Sequence, residues 1–313
     1  MKKCVRALSV LLATLLVISG SAFAAGAPKV YMTADISPAA MMALYKALER
    51  PLPGKVAVKL STGEPGGHHF LAPSLIKDLV QSVNGTIVEC NTAYGGSRAS
   101  TAMHMQVAKD HGFAAIAPVD IMDADGSVSL PVKGGKHLKE DFVGAHFKNY
   151  DSFLVLSHFK GHAMGGFGGA LKNISIGIAS SEGKSWIHTA GTSRSGFRNP
   201  GKQEDFIESM AEAAGAVINA LGDRILYISV MNNLSVDCDC DSSPEAPQMG
   251  DIGILASTDP VALDRACVDL VYASQEHGKV HLIERIESRK GTVILDHAEA
   301  MGLGSQKYEL VKF

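Results

Sequence analysis

From Ser157 to Asn173 the sequence reads Ser-His-Phe-Lys-Gly-His-Ala-Met-Gly-Gly-Phe-Gly-Gly-Ala-Leu-Lys-Asn, and a further histidine, His188, follows downstream. Imidazoles such as His158 and His162 transfer protons and ligate metals. Gly161, Gly165, Gly166, Gly168 and Gly169 permit backbone torsions that other residues resist and let a ligand approach main-chain N–H groups. Lys160 and Lys172 flank the glycines with positive charge. No Gly-Lys-Ser/Thr follows at phosphate-loop spacing and no G-x-G-x-x-G is present, so neither nucleotide-binding loop is encoded here. The segment is read as a ligand site, the chemical centre of the chain.

Two other loops share this character. Ser61-Thr62-Gly63-Glu64-Pro65-Gly66-Gly67-His68-His69 and Asn91-Thr92-Ala93-Tyr94-Gly95-Gly96-Ser97-Arg98 each follow an apolar run. They offer Glu64, His68 or His69, Tyr94 and Arg98 to the same site. A third feature is Asp237-Cys238-Asp239-Cys240-Asp241, where soft and hard ligands crowd one loop. Cys238 and Cys240 are candidates for metal ligation or a disulfide, with a solvated acidic loop as the alternative. Cys90 and Cys267 lie in apolar runs and are expected to be buried.

Strands are expected at 29–33, 56–60, 86–90, 114–118, 152–157, 174–179, 225–230 and 252–256, with helical spacing at 39–48, 75–83, 100–110, 206–221 and 261–272. Ser37-Pro38, Pro73-Ser74 and Asp259-Pro260 supply helix-start chemistry. This alternation predicts an α/β fold: a largely parallel, Rossmann-like sheet with helices on both faces, in one unit or two intimately joined lobes. In such sheets the ligand crevice lies beyond the carboxyl ends of the strands, where all three glycine-rich loops fall. The segment 189–202 is poor in apolar residues, and the division is drawn there: an N-terminal lobe of residues 25–195 and a C-terminal lobe of residues 196–313.

Residues 1–24 read as a cleavable Sec-type signal peptide: Lys2, Lys3 and Arg6, then an apolar run from Ala7 to Ile18, then Ala22-Phe23-Ala24. The expectation is an exported, periplasmic protein with no membrane attachment after cleavage. Of its 313 residues 46% are hydrophobic and 19% charged, with a formal charge of −3, enough apolar sequence for a full core and no basic cluster of the kind that binds nucleic acid. The expected partner is a small molecule, and oligomeric state is left open.

The strings Gly63-Glu64-Pro65-Gly66, Tyr94-Gly95-Gly96-Ser97-Arg98, Ser157-His158-Phe159-Lys160-Gly161-His162, Asp237-Cys238-Asp239-Cys240 and Asp259-Pro260-Val261-Ala262-Leu263-Asp264 resemble domain-of-unknown-function family 362. Many members of that family carry an inserted ferredoxin-like segment with C-x-x-C motifs. Here the corresponding stretch, Gly196 to Asp205, has no cysteine, so no iron–sulfur cluster of that type is expected.

More distantly, the stretch from His162 through Lys172 to His188 is similar to the active-site segment of nickel-pincer lactate racemases. That resemblance implies Lys172 as cofactor tether, His188 as nickel ligand and His162 as acid/base; Gly165, Gly166, Gly168 and Gly169 of the glycine run, and Glu64 and Tyr94 of the converging loops, are the candidates around the cofactor. His69 and Arg98 are the candidates for the second catalytic histidine and the substrate-binding arginine. The function so implied is a racemase- or epimerase-like enzyme using a nickel-pincer nucleotide or another divalent metal on a small hydroxy acid or related anion. A non-catalytic periplasmic metal- or anion-binding protein is the competing class, and a redox protein built on Cys238 and Cys240 is a third.

Overall fold

The computed structural model describes residues 26–196 and 201–313; the expected signal peptide lies outside them. In chain order the elements are β1 (Lys29–Thr33), α1 (Pro38–Ala47), β2 (Val56–Lys59), α2 (Pro73–Ser82), β3 (Thr86–Glu89), α3 (Thr101–Asp110), β4 (Val119–Ile121), β5 (Ser127–Pro131), β6 (Glu140–Gly144), β7 (Ser152–His158), β8 (Lys160–His162), β9 (Gly166–Gly168), α4 (Ala170–Ser175) and α5 (Ser181–His188). There follow α6 (Gln203–Leu221), β10 (Ile225–Met231), β11 (Gly253–Ser257), α7 (Pro260–Ala273), α8 (Lys279–Ser288), α9 (Val293–Ala300) and β12 (Glu309–Lys312).

Eight strands form one sheet in the order β12-β1-β11-β10-β7-β2-β3-β4. All run parallel except β11, which is antiparallel to both β1 and β10. Successive strand residues serve opposite faces, as the two-residue period demands. Phe153, Val155, Tyr227 and Leu255 pack under α4, α6, α7 and α9. Leu154, Leu156, Ile228 and Ile254 pack under α1, α2 and α3. Burial on both faces explains why these strands are nearly continuous apolar runs. The sheet is continuous across the division drawn at 195/196, because β10 pairs with β7 from Ile225↔Phe153 to Val230↔His158.

Helix starts follow their sequence signals. Ser37 Oγ accepts the Ala40 N–H at 3.2 Å, and Asp259 Oδ1 accepts those of Val261 and Ala262, both at 2.9 Å, each cap preceding a proline at the first helical position.

Two expected strands are corrected. In 114–118, Phe113–Ala115 is a short 3₁₀ turn and the strand starts later, at Val119. Pro118 has no N–H to give a sheet; its carbonyl accepts the Ile87 N–H at 2.9 Å and pairing proceeds from Val119. The segment 174–179 is the end of α4 and the turn after it. Its alternating isoleucines also satisfy helical spacing, with Ile174 and Ile178 fully buried and Ile176 only partly so. His188 accordingly reaches the site from the end of a helix, not from beyond a strand.

Candidate functional site

The carboxyl ends of β2, β3, β7 and β10 open into a single cavity of about 570 Å³. β2 and β7 are neighbours whose onward chains lead to opposite sides of the sheet, which is where a ligand crevice forms in a parallel α/β fold. Lys59, Glu89, Arg98, His158, His162, Lys172, Lys184 and His188 line it, together with Tyr94, Gly168, Gly169 and the loop 237–242.

One wall is a buried ion-pair network. Glu89, at the end of β3, takes the Lys59 ammonium at 2.9 Å, the Thr62 N–H at 2.9 Å and Arg98 Nη1 at 3.3 Å. Burial raises the Glu89 pKa, but Lys59, His104 and Arg98 outweigh it and hold the carboxyl well below its ordinary range. Arg98 Nε donates to Glu64 at 2.7 Å, and Tyr94 Oη bridges Arg98, Glu64 and the Cys240 carbonyl. Glu64, Tyr94 and Arg98 therefore do converge, but their hydrogen-bonding capacity is largely spent on one another.

The opposite wall comes from the loop after β10. Asp239 binds His158 Nδ1 at 2.9 Å and the Lys160 ammonium at 2.8 Å, and these attractions overcome burial to bring its pKa down to about 2. His158 also donates from Nε2 to the Asn232 carbonyl at 2.8 Å. With both ring nitrogens engaged by oxygens, His158 has none to offer a substrate; it positions the loop. His69, the other catalytic candidate outside the glycine-rich segment, contributes its carbonyl to Lys160 at 2.9 Å, and its ring does not line the cavity.

His162 and His188 differ in tautomer, and so in chemistry. His162 Nδ1 accepts the N–H groups of Gly165 at 2.8 Å and Met164 at 3.2 Å, which leaves the proton on Nε2. Burial, reinforced by Lys172 and His188, keeps its pKa well below the ordinary value. It is a neutral hydrogen-bond donor. His188, stacked on Phe206 in the last turn of α5, donates from Nδ1 to the Lys184 carbonyl at 2.7 Å, so its lone pair lies on Nε2, the form that ligates metals. Burial brings its pKa down to about 4.

The lysines supply the charge balance. Lys59 and Arg98 are matched by Glu89 and Glu64, and Lys160 by Asp239. Lys184 donates only to the Ala179 carbonyl. Among the described residues no hydrogen bond or ion pair reaches the Lys172 amine; burial, then the nearby charges of Lys59 and Arg98, lowers its pKa to about 8. Lys59, Arg98, Lys172 and Lys184 on the cavity lining are balanced in number by Glu89, Asp237, Asp239 and Asp241.

The glycines prove to be packing devices as much as ligand cradles. β8 and β9 form a short antiparallel hairpin. A Cβ on Gly166, which sits at φ 80°, would strike Gly291, and one on Gly169 would lie 2.3 Å from the Asp264 carboxylate. Gly165 gives its N–H to His162, and only Gly168 and Gly169 of the run line the cavity.

Cys238 and Cys240, candidates for metal ligation, are joined by a disulfide at the cavity wall, and a disulfide sulfur is not the thiolate a metal requires. Their sulfurs and a His162 nitrogen lie within 4.8 Å of one another. Cys90 and Cys267 are buried and unpaired, as their apolar neighbours implied.

Sequence reasoning missed Lys59, Glu89 and Lys184 as site residues. The signal was there for two of them: a lysine or glutamate ending an otherwise apolar, doubly buried strand, Val56-Ala57-Val58-Lys59 or Thr86-Ile87-Val88-Glu89, requires a partner.

A mostly parallel sheet with a charged cavity at its carboxyl edge defines an α/β protein with a candidate ligand site. The chain belongs to the family described as domain of unknown function DUF362, whose model matches residues 56–269. No curated protein matches the sequence. Among solved structures, the lactate racemase apoprotein from Thermoanaerobacterium thermosaccharolyticum aligns at 14% identity over 77% of this chain, with a TM-score of 0.46. A structural-genomics protein from Thermotoga maritima aligns at 14% identity over 72% of it, with a TM-score of 0.41. The chain spans 56% and 57% of the lengths of those two proteins. No helix among the described residues is long and apolar enough to cross a membrane.

Proposed function

We propose that the cavity binds a small organic anion beside a metal-bearing cofactor held by Lys172 and His188, in an enzyme of racemase or epimerase type. The observation that carries this reading is the pairing, in one cavity, of a lysine amine that no other described residue hydrogen-bonds and a histidine whose tautomer puts its lone pair on Nε2.

The residues fit such a group chemically. An amine titrating near 8 is partly neutral at mildly alkaline pH and can be acylated, and an Nε2 lone pair suits nickel or another borderline divalent ion. When bound, the group would supply acceptance and return of a substrate α-hydrogen. The chain itself supplies the surroundings: His162 presents Nε2–H to a substrate oxygen, and Lys184 adds positive charge that favours a carboxylate. The Arg98–Glu64–Tyr94 network holds one wall rigid.

The His162 tautomer, with Nε2–H as a hydrogen-bond donor, favours a second reading, in which the anion is bound without being transformed. The expected signal peptide puts the site in a periplasm, and a disulfide beside the cavity accords with an oxidising compartment. N-terminal sequencing of secreted material, with Ala25 as the expected first residue, tests export.

Intact native mass combined with metal analysis tests the cofactor. Lys172→Ala is expected to abolish a covalent adduct, and His188→Ala to lose the metal while keeping the fold. Retention of wild-type mass and metal by both variants would remove the cofactor from the cavity. Solvent exchange of the α-hydrogen across a panel of 2-hydroxy acids then separates enzyme from binder.

A further inference from the structure

A second group of metal-ligating side chains stands apart from the cavity, where α6 meets the β5–β6 connection and α9. Asp205, Glu208 and Glu212 follow one another at helical spacing along one face of α6. Glu212 has no exposed surface. Its two oxygens accept the backbone N–H groups of Lys136 at 2.7 Å, His137 at 3.1 Å and Leu138 at 2.7 Å, and the Nε2–H of His297 at 3.1 Å. One buried carboxylate thereby fixes two histidines from different elements, His137 through its main chain and His297 through its ring.

Donation from His297 Nε2 to Glu212 leaves the lone pair on Nδ1, which lies 3.9 Å from Glu208 Oε1. This carboxylate–imidazole arrangement is the one that orients histidine ligands in metal sites. His137 Nε2 lies 2.5 Å from Glu208 Oε2 and 4.0 Å from Asp205 Oδ1. The ligand atoms of His137, Asp205 and Glu208 fall within 4.8 Å of one another. Among the described residues three carboxylates face the ammonium of Lys136, which reaches Glu208 at 2.7 Å and is 60% exposed, a net charge of −3 + 1 = −2 with the imidazoles counted as neutral.

We infer that His137, Glu208 and Asp205 form a binding site for a divalent first-row transition cation, with Glu212 fixing the His137 main chain and His297 standing beside the site at the other oxygen of Glu208. Ligands about 2.0–2.2 Å from a tetrahedral ion stand roughly 3.3–3.6 Å apart. The 4.0 Å separation of His137 and Asp205 needs to close by a few tenths of an ångström, and His137 must draw back from Glu208 by about 1 Å and carry its proton on Nδ1 in place of Nε2 as Lys136 swings into solvent. One imidazole with two carboxylates favours zinc, manganese, iron or nickel over calcium and magnesium, which prefer all-oxygen shells.

The test is titration of the full-length protein with Zn²⁺, and with Co²⁺ for its visible absorption, against single variants. Glu208→Gln and His137→Ala are expected to lose one equivalent of bound ion, and His297→Ala to weaken that equivalent by about tenfold to a hundredfold. Lys136→Ala is expected to bind at least as tightly as the parent. Asp205→Asn, a partly exposed and nearly isosteric change in the first turn of α6, serves if His137→Ala does not fold, and is expected to weaken the same equivalent. Unchanged stoichiometry and affinity in folded Glu208→Gln and Asp205→Asn would reduce the cluster to an ion-pair network.

Discussion

Asp239 shows how a single side chain sets the form of the cavity. Its carboxylate holds both His158 and Lys160, and its main-chain carbonyl accepts the Glu64 N–H at 2.9 Å, so one residue ties together three of the loops at the site. The folded-state pKa of about 2 lies below the ordinary carboxylate value of 3.8. A depressed carboxylate pKa contributes stability that is present above about pH 4 and lost as pH falls toward 2, on the order of 2 kcal/mol. Asp239→Asn is expected to remove that part of the acid dependence and, by leaving buried cations unpaired, to cost about 3–5 kcal/mol at neutral pH. Denaturant unfolding at several pH values measures both; an unchanged acid slope would show that Asp239 does not carry it. At the neighbouring positions, Cys238 and Cys240 are expected to resist thiol alkylation until a reductant is added, whereas equal labelling without reductant would mean the disulfide is not formed.

At the scale of elements, α4 matters most, because it carries Lys172 into the cavity. Its first N–H groups, those of Ala170 and Leu171, are accepted by the Asp264 carboxylate of α7 at 2.7 and 2.9 Å. Asp264 is fully buried, and burial pushes its pKa up to about 7 against the pull of these two amides. Gly169 is the residue that permits this close approach. Gly169→Ala is expected to displace the carboxylate, costing about 1–3 kcal/mol, and to weaken whatever binds at Lys172 more than it alters helix content. Thermal melts and ligand titration of the variant check this, and binding equal to the parent's would show that α4 is held by other contacts.

At the scale of the molecule, β10 pairs with β7, which carries β2 and β3 in the same sheet, so residues on either side of the segment near 196 share a core. Trp186, the only tryptophan, lies on α5 and reports on the earlier part of the chain, whereas far-UV circular dichroism reports on the whole. The two signals are expected to follow one unfolding transition with a common midpoint. Separate midpoints would establish two lobes of independent stability.

The sequence by itself determined what depends on local pattern. Doubly buried apolar runs declared the parallel sheet, proline with a capping oxygen declared the starts of α1 and α7, and glycines with histidines after β7 declared a site. Tertiary structure decided what depends on which groups meet. The repeat Ile174-x-Ile176-x-Ile178 suits either period, and in the fold Ile174 closes α4 while Ile176 and Ile178 lie in the turn after it, with Ile174 and Ile178 buried in the core. No local signal reveals that His162 Nδ1 will meet two backbone amides while His188 Nδ1 meets a carbonyl, yet that difference makes one ring a donor and leaves the other's lone pair on Nε2. Likewise, Glu212 reads in sequence as one more helical glutamate. Its full burial, against residues 136–138 and His297, arises because a carboxylate far along the chain is the acceptor that a turn of unpaired amides requires.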